Sequence, residues 1–166
     1  MKLFHGSDTV VRGSLANVGR AKVDFGQGFY LTKLRGQAES WAKTIASRGR
    51  NRKAFLNVYE FDTAAARRDL GQRYKVFDAY DIPWLDYVVD CRAGGNLQNQ
   101  YDVVEGGVAN DNVIDTVEDY ENGRITAEQA LGQLAYKKVN HQICISAQVV
   151  IDIYLRHVES VELKGA

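Results

Sequence analysis

A chain of 166 residues, 45% of them apolar, has material for one core and reads as a single domain, 1–166. Its 21 basic and 21 acidic side chains cancel, which excludes a protein that coats nucleic acid through bulk charge but not a local basic patch or a brief catalytic encounter. Cys91 and Cys144 lack metal-ligand and redox spacing, no apolar run is long enough to span a bilayer, and the segment 1–5 has no signal-like apolar stretch. A reduced, cytoplasmic protein without metal or membrane attachment is the expectation.

In chain order, the pattern predicts a short strand at 2–5 and a polar, Gly-interrupted loop over 6–25. A second strand follows at 28–32. A helix is expected over 34–47, with Ala38, Trp41, Ala42 and Ile45 on one face and its start near Thr32 or Lys33. Residues 54–61 are dense in strand formers, and 73–78 suggest another strand. Pro83 fits the first turn of a helix over 84–92, capped by Asp81 and ended by Gly94-Gly95. A strand at 101–105 stops at Gly106-Gly107. Helices are expected over 112–120 and, from the capping-box pattern Thr126…Gln129, on to 138. A strand at 140–145, a helix capped by Ser146 and running to 156, and an edge strand at 158–163 complete the chain. Strands and helices mix without regular βαβ alternation, so the expected class is α+β with a mostly antiparallel or split sheet.

Three segments carry polar groups at strand ends: Leu3-Phe4-His5-Gly6-Ser7, Phe25-Gly26-Gln27-Gly28-Phe29-Tyr30-Leu31-Thr32, and Val139-Asn140-His141-Gln142-Ile143-Cys144-Ile145-Ser146. Singly, each has a plain reading. His5 suits a hydrogen-bonded turn, and Gln142 a solvated strand residue. Gly26-Gln27-Gly28 precedes a strand instead of following one, so it is no dinucleotide fingerprint and reads as a bulge or tight turn.

In this order, the three segments resemble the ADP-ribosyltransferase superfamily, in its diphtheria-toxin and poly(ADP-ribose) polymerase branch. They are most similar to a group of small bacterial proteins with an Asp-Phe-Gly-x-Gly-Phe-Tyr-Leu-Thr motif. The motifs cover about a fifth of the chain but span nearly all of it. The resemblance implies a split antiparallel sheet with surrounding helices and NAD⁺ as co-substrate. His5 would bond a ribose hydroxyl, Gly6 would offer its N–H and C=O to the nicotinamide carboxamide, and Ser7 would contact a ribose or the carboxamide. Tyr30 would stack on the cationic ring, with Gly28 beside it. Trp41, eleven residues on, is either a second stacking aromatic or a core residue. Arg12, Arg20 and Lys22, in the loop that closes over the donor, are candidates for the pyrophosphate, Arg20 first. Asn140 would help select the acceptor. Gln142 departs from the family, which holds a catalytic glutamate there. It keeps an acceptor oxygen for the ribose 2′-hydroxyl without the charge that stabilises developing positive charge at C1′. Asp102, Glu105 and Asp111 are candidates to supply the missing acid.

The function implied is mono-ADP-ribosyl transfer to a protein or nucleic acid, in a bacterial toxin or defence effector with an antitoxin or immunity protein as its candidate partner. The alternatives are a catalytically silent NAD⁺-binding interaction module and an NAD⁺ glycohydrolase. A 2′-phosphotransferase ranks last, since His141 and His157 do not form the expected histidine pair.

Overall fold

The computed structural model describes residues 1–49, 52–109, 113–135 and 140–164, and its strands fall into two sheets. The first is antiparallel, with order β1 (Lys2–Ser7), β3 (Ala54–Phe61), β7 (Leu155–Leu163). The second has order β2 (Phe29–Leu31), β6 (Gln142–Ile145), β5 (Val103–Gly106), β4 (Tyr74–Val76); β4 and β5 run parallel and the other neighbours antiparallel. The helices are α1 (Arg35–Ser47), α2 (Thr63–Leu70), α3 (Ile82–Ala93), α4 (Ile114–Glu121), α5 (Ala127–Leu134) and α6 (Gln148–Tyr154).

Strand alternation sorts the side chains into layers. Leu3, Tyr59 and Phe61 of the first sheet meet Phe29, Leu31, Val103, Ile143 and Ile145 of the second, closed by Ala66 of α2 and Val150 and Ile151 of α6. The second sheet's other face, with Val104 and Cys144, lies under Trp84, Leu85 and Val88 of α3, Val117 of α4 and Leu134 of α5. Outside the first sheet, Ala38, Ala42 and Ala46 of α1 pack on Phe4, Leu56, Val58 and Ala54. Burying a side chain such as Leu31 or Ile143 contributes roughly 1.5–3 kcal/mol.

Among the described residues, a single bridge joins the sheets. Phe4 N–H donates to Thr32 O at 2.8 Å, and Thr32 N–H donates to Phe4 O at 2.9 Å. Beyond it β1 and β2 part. The parting is enforced on the β1 side by α1: a Cβ on Gly6 would lie 2.0 Å from Ala38 O and 2.8 Å from Ala42 N. Only a residue without a side chain lets the helix backbone come this close.

The expected α+β class with two sheets is what forms. Asp81 accepts from Trp84 N–H with Pro83 in the first turn, and Thr126 and Gln129 make the reciprocal capping box. Several boundaries differ. Strand β1 runs on to Ser7 because Ser7 pairs with Phe55. Helix α2 was not expected; its signal is Asp62, whose carboxylate accepts from Ala65 N–H ahead of an alanine run. Ser146 does not cap α6. Its hydroxyl donates to the carbonyls of Tyr101 and Asp102, tying β6 to the segment before β5. Helix α6 ends at Tyr154 and β7 starts at Leu155, since pairing with Phe61 begins there. Trp41 is 47% exposed, because the buried stripe of α1 is Ala38-Ala42-Ala46. The expected helix ends at 112 and 136–138 fall outside the described residues.

Two glycine substitutions should move stability in opposite directions. Gly6→Ala forces α1 off β1 and is expected to lower stability by about 3 kcal/mol or more. Gly132→Ala, in α5 where an added Cβ meets nothing within 4 Å, should raise it by roughly 0.5–1 kcal/mol. Paired denaturant titrations check both.

Candidate functional site

Where β1 and β2 diverge, their backbones face each other across an opening. Backbone polar groups of a strand alternate sides, and those of Phe4 and Thr32 point at each other. By the same alternation the N–H and C=O of Gly6 and of Tyr30 point into the opening. Tyr30 O is taken by His5 Nδ1 at 2.8 Å. A carbonyl only accepts, so Nδ1 carries the proton and Nε2 presents a lone pair. Burial lowers the His5 pKa, opposed by the bond to Tyr30, and keeps the ring neutral at pH 7. The ring also packs on Phe29, centroids 4.7 Å apart.

Tyr30 pairs with Cys144, so both side chains stand on the α3 face of the second sheet, and Gln142, two residues along, stands there too. Tyr30 and Gln142 are diagonal neighbours, at a typical separation of about 7–8 Å. The Tyr30 hydroxyl donates to Gly26 O at 2.7 Å and accepts from Phe25 N–H at 3.1 Å. Burial raises its pKa well above the ordinary tyrosine value, so it stays protonated. Gly28 is small for a steric reason: a Cβ there would lie 2.4 Å from Cys144 Sγ. Gln37, Trp41 and Arg48 share one flank of α1. The 3.1 Å bond from Thr32 Oγ1 to Gln37 Oε1 turns that flank toward β2. His5 thus meets the Tyr30 backbone, and Gln142 neighbours Tyr30 on the α3 face of the second sheet.

Other expected contacts are placed differently. Ser7 Oγ accepts from Thr9 N–H in a local turn. Arg12, Arg20 and Lys22 are exposed and form no ion pair among the described residues. Asn140 is half-buried, ahead of the start of β6. Two hollows, one of about 280 Å³ beside Gln27, Tyr101 and Ser146 and one of about 650 Å³ beside Met1, Glu60 and Asp152, are lined by none of His5, Tyr30 or Gln142.

Two of the candidate acids, Asp102 and Glu105, are engaged elsewhere. Asp102 is held bidentately by Arg73, with both contacts at 2.6 Å. Asp111 lies outside the described residues. Glu105 pairs with Ile143, so its side chain leaves the opposite face of the sheet from Gln142. There Lys33 Nζ (2.6 Å) and His141 Nε2 (2.8 Å) meet Oε1, and Arg67 Nη2 (2.8 Å) and the Tyr74 hydroxyl (2.9 Å) meet Oε2. Burial pushes this carboxyl's pKa up, but the bonds from His141, Lys33, Arg67 and Tyr74 outweigh it and hold it far below the usual carboxylate range. Glu105 is thus a charge held by β2, α2, β4 and β6 together, fully occupied.

Sequence reasoning missed Asn57, which is fully buried beside His5. Its Nδ2 donates to Thr9 O and His5 O, and its Oδ1 accepts from Val11 N–H at 2.9 Å and the Ser160 hydroxyl at 2.6 Å. Gln148 accepts from Ala16 N–H and donates to Ser14 O, and Gln27 donates to the carbonyls of Asn17 and Gly19. The segment 8–24 is thereby tied to β3, α6 and the start of β2. A polar residue inside an apolar strand run is the signal that marks Asn57.

The fold and the opening define an α+β protein with a split sheet and a neutral, histidine-bearing gap. The chain belongs to the DUF3990 family, described as a protein of unknown function, whose profile matches residues 1–156. No curated protein and no solved structure matches it. Among the described residues, no helix is long and apolar enough to cross a membrane.

Acid should act through Glu105. Its folded-state pKa is depressed, so its stabilisation is fully present above the unfolded value near 4.3 and is lost as pH falls below that. Glu105→Gln should lower stability at pH 7 by about 2–4 kcal/mol and flatten the fall between about pH 5 and pH 2. Urea titrations of both proteins across that range test this; parallel curves would contradict it.

Proposed function

We propose that this protein binds NAD⁺ in the opening between its sheets and transfers single ADP-ribose units to a macromolecular acceptor. The observation that carries the reading is the pairing of His5 Nδ1–H with Tyr30 O beside the N–H and C=O of Gly6, which have no hydrogen-bond partner among the described residues. A primary carboxamide offers an acceptor and a donor in the spacing that one residue's N–H and C=O complement. The neutral Nε2 of His5 suits a ribose hydroxyl donor. Tyr30 and Trp41 supply aromatic faces for a cationic pyridinium, and Arg20 a charge for the diphosphate.

In the transfer step, the bond between nicotinamide nitrogen and ribose C1′ breaks and the electron pair leaves with nicotinamide. C1′ becomes oxocarbenium-like, and the acceptor nucleophile bonds to it while losing its proton to water. Gln142 Oε1 accepts from the 2′-hydroxyl and orients the sugar. Being neutral, it stabilises the growing positive charge less than a carboxylate does. Its neutrality also matches single transfer and not chain elongation. A bacterial toxin or defence effector, held in check by an antitoxin or immunity protein, is the setting that fits this chemistry.

A second reading is a silent NAD⁺-binding module, and one observation favours it. Glu105, next to the strand partner of Gln142, is caged on the other face of the sheet.

Saturating NAD⁺ should stabilise the fold by roughly 1–3 kcal/mol, read as a melting-temperature rise. His5→Ala should abolish the rise while leaving the protein folded. Tyr30→Phe keeps the ring and loses only the hydroxyl that pins residues 25 and 26, so it should retain the rise that Tyr30→Ala loses. A rise unchanged in His5→Ala would sink the assigned pocket.

Turnover separates the two readings. Gln142→Ala should lower NAD⁺ consumption by about 10²-fold with little change in NAD⁺ affinity, and Gln142→Glu should raise it if charge is the missing element. Wild type, Ala and Glu forms that all bind NAD⁺ and never consume it would leave the silent module.

A further inference from the structure

Residues 40–59 hold five of the chain's 21 basic side chains, Lys43, Arg48, Arg50, Arg52 and Lys53, and none of its 21 acidic ones. A chain of zero net charge is therefore locally polarised. The structure gathers this segment at the open end of the split. Helix α1 runs back along β1, so that its Ala46 packs on Ala54 while Phe55 pairs with Ser7. Arg52 reaches Asp8, just past β1, at 2.8 Å. Lys43, Arg48, Arg52 and Lys53 are all exposed.

The aromatic in this surface has its own arrangement. Trp41 is 47% exposed, and the Arg48 guanidinium carbon lies 5.5 Å from its ring centroid. The guanidinium lies over the indole, and both residues are exposed. Bases of single strands stack on arginine planes and aromatic rings, while flanking cations follow the phosphates. An acidic protein surface would use the cations but not the stack. The pairs Arg52–Asp8 and Lys53–Glu162 are exposed and so weak in water, and phosphate oxygens can replace their carboxylates.

We infer that this α1–β3 surface binds single-stranded nucleic acid at the mouth of the split, and that the bound strand is the acceptor. The second half rests on the transferase reading. The strand's nucleophile, a hydroxyl oxygen or ring nitrogen, bonds to C1′ as nicotinamide departs with the bonding pair, and its proton passes to water.

The test uses the full chain with fluorescein-labelled U20 RNA and dT20 DNA, followed by anisotropy without NAD⁺ and then by transfer from labelled NAD⁺. Binding should weaken with salt at a slope of about −2 to −3, the value for three or four phosphate contacts on a single strand. The triple variant Lys43→Ala, Arg52→Ala, Lys53→Ala should lose at least tenfold in affinity. Arg48→Ala should weaken binding and Arg48→Lys should not restore it, because lysine keeps the charge but lacks the plane. Circular dichroism checks that each variant is folded. No binding to either strand in 50 mM salt, or binding indifferent to these variants, overturns the proposal. Label from NAD⁺ on the oligonucleotide supports the acceptor assignment; label on lysate protein and never on the strand overturns it. If the strand binds as expected while NAD⁺ is neither bound nor consumed, the transferase reading fails and the binding surface stands.

Discussion

Two hydrogen bonds between Phe4 and Thr32 set the geometry on which the rest depends. They bring the edge strands of two sheets into register for a single residue pair. One step further, the helix that follows β2 lies against Gly6 so closely that β1 cannot stay beside β2. Joining and parting within three residues leaves backbone groups aimed at each other with no strand to satisfy them. Elsewhere in a folded protein such groups find partners almost without exception. An opening lined by them is therefore a place where a ligand with its own donor and acceptor is favoured. The His5 Nδ1–H takes the Tyr30 carbonyl there, and that bond decides its tautomer.

The carboxylate of Glu105 is kept away from this opening. The buried carboxylate of Glu105 draws Lys33, Arg67, Tyr74 and His141 together on the far face of the sheet. Four elements converge on it, so its electrostatics hold the ends of β2 and β6 in place, and with them Thr32 and Gln142. The Thr32 hydroxyl adds a 2.8 Å bond to His141 O. The opening itself carries a neutral histidine, a protonated tyrosine and an uncharged amide. The proposed chemistry thus relies on placement and hydrogen bonding, with acceleration below what a free carboxylate supplies. The segment 8–24 is held by the buried amide of Asn57 and by Gln148 and Gln27, which gives the cationic side chains Arg12 and Arg20 a fixed backbone beside the gap.

The strongly periodic or capped elements were legible in the chain itself. Asp81 with Pro83, the Thr126–Gln129 box, the apolar run of β3 and the alternation of β6 specify local structure through bonds within a few residues. The motifs around His5, Tyr30 and Gln142 were likewise visible, and the structure sets His5 against the Tyr30 backbone and Gln142 near Tyr30 on the second sheet. Composition alone pointed to one domain without bulk basic character, while leaving open a local group of exposed cations such as Lys43, Arg48, Arg52 and Lys53.

What tertiary structure decided are matters of which face and which neighbour. Trp41 reads as core by helical spacing, yet the close approach of Ala38 and Ala42 to Gly6 rotates the buried stripe and leaves it exposed. Glu105 lies a short way from Gln142 across the sheet, but a one-residue difference in pairing sends the two side chains to opposite faces. Ser146 has the composition of a helix cap and instead spends its hydroxyl on Tyr101 and Asp102. Asn57 looks like a stray polar residue in a strand until segment 8–24 folds over it. Each outcome depends on register between distant segments, set by packing and hydrogen-bond completion over the whole fold, whereas the caps were determined by the sequence alone because their partners lie within a turn of the chain, and the strand runs were marked by their apolar pattern.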